Sequence, residues 1–210
     1  VLLALICLLS GDGPAAAVER FKIVALGDSL TAGLGLPAKE AFPERLERAL
    51  KARGHAVEIV NAGVSGDTAA GGLARLDWSV PKDADGVILA LGANDMLRGF
   101  DPKVTQGTLD AILRRLTERR LEVLLAGMRA MPNLGVDFGA GFEAIYKELA
   151  AKYRVVFYPF FLEGVAGDAR LNQRDGVHPS AAGVDRMVAG ILPKAEELLG
   201  RIRQGRMSAP

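Results

Sequence analysis

Five apolar runs punctuate the chain: FKIVALG (21–27), AVEIVNAG (56–63), DGVILALG (85–92), LEVLLAGM (121–128) and YRVVFYPF (153–160). They are rich in Val, Ile and Leu and alternate little between apolar and polar positions. That pattern predicts strands covered on both faces. Between them lie AFPERLERALKARG, TAAGGLARLDWSV, TQGTLDAILRRLTERR and GAGFEAIYKELAAK. These space apolar residues three and four apart with charges between, which predicts amphipathic helices. A last helix is predicted from about Ser180 to Arg201, with the remainder, 201–210, as a flexible tail.

Strand–helix alternation predicts an α/β fold with a mainly parallel sheet. Five strands in 210 residues suggest one three-layer α/β/α sandwich of flavodoxin-like type, spanning 18–200. Half of the residues are hydrophobic and 24% are charged, an ordinary globular balance. Formal net charge is +1, and the basic residues are interleaved with acids, so nothing points to nucleic acid.

The N-terminus changes the picture. The apolar run Val1–Leu9 is too short for a membrane span, which needs ~20 residues. It suits a secretory leader, and Ala15-Ala16-Ala17 supplies a small-residue cleavage site. Residues 1–17 are therefore expected to be a leader, cut after Ala17, on a periplasmic or secreted protein with no stable membrane anchor. Cys7 is the only cysteine, and Ile6 before it does not suit lipid attachment. The mature chain would hold no thiol or disulfide.

In open parallel sheets, ligands bind beyond the carboxyl ends of the strands. Four segments there carry candidate chemistry. Gly27-Asp28-Ser29 follows the first run, and its polar pair is either a helix N-cap or an exposed hydroxyl at the ligand edge. Asn61-Ala62-Gly63 follows the second, where Gly63 lets backbone approach a ligand and Thr68 suits an N-cap. Asn94 and Asp95 follow the third, as turn formers or as an amide aimed into the crevice. Asp175-Gly176-Val177-His178 precedes the last helix; this spacing lets the carboxylate orient the imidazole or form a simple loop ion pair. The other histidine, His55, sits in a helix-to-strand turn as surface filler. Together the four segments hold a nucleophile, a base, an orienting acid and oxyanion donors, the parts needed for acyl transfer. Two distant histidines and no mature cysteine do not make a common zinc site, and no phosphate-binding glycine motif is present. No cofactor or metal is expected.

The segments GDSLTAG, NAGVSGDT, LGANDMLRG and DGVHPS resemble, in order and spacing, the four blocks of the SGNH (GDSL-type) hydrolases. GFEAIYKELAAKYRVVFYPFFLEGVA further resembles their bacterial thioesterase I / lysophospholipase / arylesterase branch. The resemblance covers nearly everything from Phe21 to Leu199. It implies Ser29 as nucleophile, His178 as base and Asp175 as the third triad member. It implies an oxyanion hole from the Ser29 and Gly63 backbone N–H groups and the Asn94 side chain. One departure is Met96, where a small residue is the family norm.

The implied activity is hydrolysis of acyl esters and thioesters through an acyl-enzyme on Ser29. Thiols and phenols leave readily as anions, so thioesters and aryl esters should react easily. Leu30, Met96, Leu97, Phe100, Met131, Pro132, Leu134 and Phe138 follow strand ends and could line an acyl groove or serve as core. The alternatives are a carbohydrate O-deacetylase and a non-catalytic binding protein on the same scaffold.

Overall fold

The computed structural model describes residues 20–208. The expected leader, 1–17, lies outside them. Five parallel strands form one sheet: β1 (Phe21–Gly27), β2 (Val57–Gly63), β3 (Gly86–Ala90), β4 (Glu122–Ala126) and β5 (Val156–Tyr158). Their order is β2-β1-β3-β4-β5. Every residue of β3 is buried and β1 is buried except for the half-covered Lys22, as expected of strands sandwiched between helices.

The helices are α1 (Ser29–Ala32), α2 (Phe42–Ala52), α3 (Ala69–Ala74), α4 (Leu76–Ser79), α5 (Ala93–Leu97), α6 (Pro102–Glu118), α7 (Val136–Tyr153) and α8 (Ala181–Met207). The pair α2 and α8 packs together, as do α6 and α7, and both pairs lie against the sheet. Phe42, Leu46 and Leu50 of α2 and Leu109, Ile112, Leu113 and Leu116 of α6 repeat at three- and four-residue spacing, and all are buried.

The expected TAAGGLARLDWSV helix is two short ones, broken at Arg75. The last helix does not stop at Arg201, and the segment expected to be a flexible tail is helical to Met207. Ile202 is the reason: it is 4% exposed, one turn beyond buried Leu198 and Leu199. Arg206 pairs with Asp85 and lies over the Phe21 ring.

Two connections leave β1 and β3, adjacent strands whose sequence neighbours lie on opposite sides. Such a switch point opens a crevice at the carboxyl ends. Ser29 comes just after β1 and Asn94 just after β3, so both fall at its mouth.

Candidate active site

Asp28, not Ser29, caps α1: its Oδ1 accepts the Leu30 N–H at 3.0 Å. That leaves the Ser29 hydroxyl free for another partner. His178 Nε2 lies 3.0 Å from Ser29 Oγ. On the other side of the ring, Nδ1 is 2.7 Å from Asp175 Oδ2. Because a carboxylate accepts, Nδ1 carries the proton and the Nε2 lone pair faces the hydroxyl. The Asp175 Oδ1 accepts the Val177 and His178 N–H groups at 2.9 and 3.0 Å. The His178 N–H, then the Val177 N–H and the imidazole, pull this carboxyl down to about 2. The loop is fixed in turn: Gln173 Nε2 donates to Leu34 O at 2.7 Å and to Pro179 O at 3.0 Å, tying the histidine loop to the loop after α1.

Asn94 Nδ2 donates to Asp67 O at 2.9 Å and lies 3.3 Å from Asp28 Oδ2. A backbone carbonyl only accepts, so the amide orientation is set by its neighbours. Asp28 is fully buried, and that burial raises its carboxyl to about 6 against the pull of the Leu30 N–H.

Gly63 requires a correction. Its N–H is taken by Asn61 Oδ1 at 3.1 Å, and its Cα presses on α1, where a Cβ would meet Ala32 N at 2.3 Å. It is a close-packing glycine outside the lining of the cleft. Three residues on, Gly66 has φ +85° and its N–H donates to no partner among the described residues. Its carbonyl accepts Arg98 Nη2 at 2.8 Å, and its peptide neighbour Asp67 binds Asn94, so the Gly66 turn lies against α5. The left-handed conformation separates the two glycines; in sequence they look alike.

Ser29, Asn94 and His178 open onto one cleft of about 380 Å³. Of the expected groove residues, Leu30, Met96, Leu97, Met131 and Pro132 line it. Leu134 and Phe138 do not; they pack on the core, with Phe138 stacked on Phe142 at 6.0 Å. Phe100 is also outside the lining and 39% exposed. Met96 is buried to 6% and fills part of the floor. Met128, Phe160, Leu162 and Val177 also line it and are not among the groove residues expected from sequence. Phe160 and Leu162 carry a usable signal all the same, since they stand just past the carboxyl end of β5, as Ser29 and Asn94 stand past β1 and β3.

A model of the GDSL-like lipase/acylhydrolase family matches residues 25–186. The chain belongs to this family. Esterase TesA of Pseudomonas aeruginosa is 36% identical over 178 residues, covering 84% of this chain and 89% of that protein. Thioesterase 1/protease 1/lysophospholipase L1 of Escherichia coli (strain K12) is 39% identical over 159 residues, 75% of each chain. The crystal structure of AlinE4, an SGNH-hydrolase family esterase, is 44% identical with a TM-score of 0.73, covering 86% of this chain and 97% of that one. The GDSL-like hydrolase fold thus accounts for the sheet order and for the four loops at its carboxyl edge.

Proposed function

We propose that this GDSL-like hydrolase is a serine esterase and thioesterase that works through an acyl-enzyme on Ser29. The observation that carries the reading is the unbroken line from Asp175 through His178 to the Ser29 hydroxyl, at 2.7 and 3.0 Å. Ser29 Oγ attacks the acyl carbonyl as His178 Nε2 takes its proton. Asp175 holds the imidazole in the right tautomer and stabilises its cation. The tetrahedral oxyanion is received by the Ser29 N–H, the Gly66 N–H in place of the expected Gly63, and Asn94 Nδ2. To donate there, Asn94 gives up its long 3.3 Å contact with Asp28 and keeps its bond to Asp67 O. His178 then protonates the leaving group, and water, activated by the same imidazole, releases the acid.

The cleft is far larger than an acetyl group needs and most of its lining side chains are apolar, Leu, Met, Ala, Phe, Pro and Val, which favours acyl chains over acetylated sugars. Aryl esters, acyl thioesters and lysophospholipids fall in this class. A leader over 1–17, as read from the sequence, would send the mature enzyme to the periplasm or outside the cell; no helix among the described residues is long and apolar enough to cross a membrane.

The test is covalent. A long-chain organophosphonate should add to Ser29 alone, located by mass spectrometry, and Ser29→Ala should abolish both adduct and ester hydrolysis. Substantial hydrolysis by Ser29→Ala would refute the assignment.

A further inference from the structure

Arg75 occupies the break between α3 and α4. In sequence it is one of many helix arginines. In the fold its side chain is only 15% exposed, and its guanidinium reaches four groups. Nε donates to Asp67 Oδ2 at 2.6 Å. Nη1 donates to Ala62 O and to Ser79 Oγ, both at 2.9 Å. Nη2 donates to Gly27 O at 2.9 Å. Gly27 ends β1 and Ala62 is the last residue but one of the neighbouring β2, Gly27 stands two residues before Ser29, and Asp67 follows Gly66 and binds Asn94 through its own carbonyl.

We infer that Arg75 is a positioning residue that holds the nucleophile turn and the oxyanion-hole loop in register with each other. It touches neither substrate nor the reacting atoms. The inference rests on the acyl-enzyme reading above. One planar cation spans the Gly27 carbonyl, two residues before Ser29, and the carboxylate of the residue that anchors Asn94. A shift of the 64–68 loop relative to β1 therefore breaks a bond on one side of the guanidinium. A backbone path, Val64 N–H to Gly27 O at 3.0 Å and Asp67 N–H to Val64 O at 3.1 Å, runs along the same seam; the guanidinium adds to it the Asp67 carboxylate and the Ala62 carbonyl, which that path does not hold. Lysine cannot replace this fork: it has three donors on one nitrogen and no fixed plane. The oxyanion donors matter only as the carbonyl becomes tetrahedral, so loosening them slows turnover more than it weakens binding.

The experiment compares Arg75→Lys with the parent and crosses both with Asn94→Ala. Arg75→Lys should lower kcat ~10- to 100-fold, the scale of an ångström-sized misplacement, with KM changed less than ~3-fold. In the parent, Asn94→Ala should cost ~100- to 1,000-fold in kcat. In the Arg75→Lys background the same change should cost less than ~10-fold, because the amide has already lost its fixed place. A merely structural arginine would lower the folded fraction, and the two losses would then multiply in full. Full multiplication, or a folded Arg75→Lys enzyme within ~3-fold of the parent, overturns the inference. If Arg75→Lys does not fold, Asp67→Ala takes its place with the same outcomes, since it cuts the loop from the guanidinium but leaves the carbonyl bonds. Labelling of Ser29 by the organophosphonate is scored in every variant. Its absence in the parent would refute the acyl-enzyme reading itself, whereas a labelled parent with multiplying losses would refute only the role of Arg75.

Discussion

Asp28 and Asp175 show one residue type doing opposite things. Asp175 keeps its charge in contact with two N–H groups and an imidazole, and its carboxyl is held at about 2. Asp28 sits in a buried turn and is raised to about 6. Between the ordinary aspartate value near 4 and about 6, the folded protein binds the Asp28 proton more than the unfolded chain does, so stability falls as pH rises through that window. A shift of this size in a fully buried group corresponds to about 3 kcal/mol above pH 6. Asp28→Asn keeps an oxygen for the Leu30 N–H and removes the charge. Chemical denaturation of both proteins should show the variant gaining on the parent by up to about 3 kcal/mol between pH 4 and pH 7; a constant difference would show that Asp28 does not titrate in that range. Local sequence carries little notice of this. GDS reads equally well as a cap or a nucleophile, and it is both, with the cap on Asp28 and the hydroxyl on Ser29.

Elements are legible in sequence where burial alone decides them. The apolar run 21–27 is β1, Phe21–Gly27, to the residue, because an apolar run flanked by a charged residue and a glycine has few other places to go in a parallel sheet. The end of α8 is not legible. GRIRQGRM is polar and carries two glycines, and a sequence window cannot see that Ile202 meets Gly86 at the start of β3. A Cβ on Gly86 would lie 2.9 Å from the Ile202 Cδ1, so the side chain fills the place that the glycine leaves. Two cations of the same turns, Arg203 and Arg206, lie 5.5 and 4.9 Å from the Phe21 ring centroid and cover the start of β1. The extension is thus core, docked on the amino ends of the strands, far along the sheet from Ser29. Ile202→Ala should cost about 2–4 kcal/mol, the usual range for emptying a buried aliphatic site, and leave kcat within ~2-fold. Thermal melts beside ester hydrolysis check both halves; an unchanged melting temperature would return this segment to the status of a tail. Arg75 escapes a sequence reading for a related reason: GLARL has the pattern of a helix surface, and only the tertiary fold brings Gly27, Ala62 and Asp67 to one guanidinium.

For the molecule as a whole, pH acts on stability through two opposed sets of carboxyls. Carboxylates held low contribute stability that is complete above about pH 4 and fades as pH falls toward 2; Asp175 and Asp168, the latter held at about 2 by the Arg170 guanidinium, are of this kind. Carboxyls raised by burial, Asp28 and Asp95, contribute stability that is complete below about pH 4 and is lost as pH rises. The raised lysines Lys22 and Lys152 and the buried Tyr146 change nothing until well above neutrality, since their shifts lie above their ordinary values of 10 or more. The first set removes stability on the acid side and the second on the neutral side, so the maximum belongs between about pH 4 and 5. The acid that dominates the neutral-side loss, Asp28, lies next to the nucleophile in sequence and beside Asn94 in space, so the penalty is carried by the cleft itself. Melting temperature measured on one buffer series from pH 3 to 9 should peak on the acid side, between about pH 4 and 5. A peak near pH 8 would mean that the buried carboxyls at the cleft carry no such charge penalty.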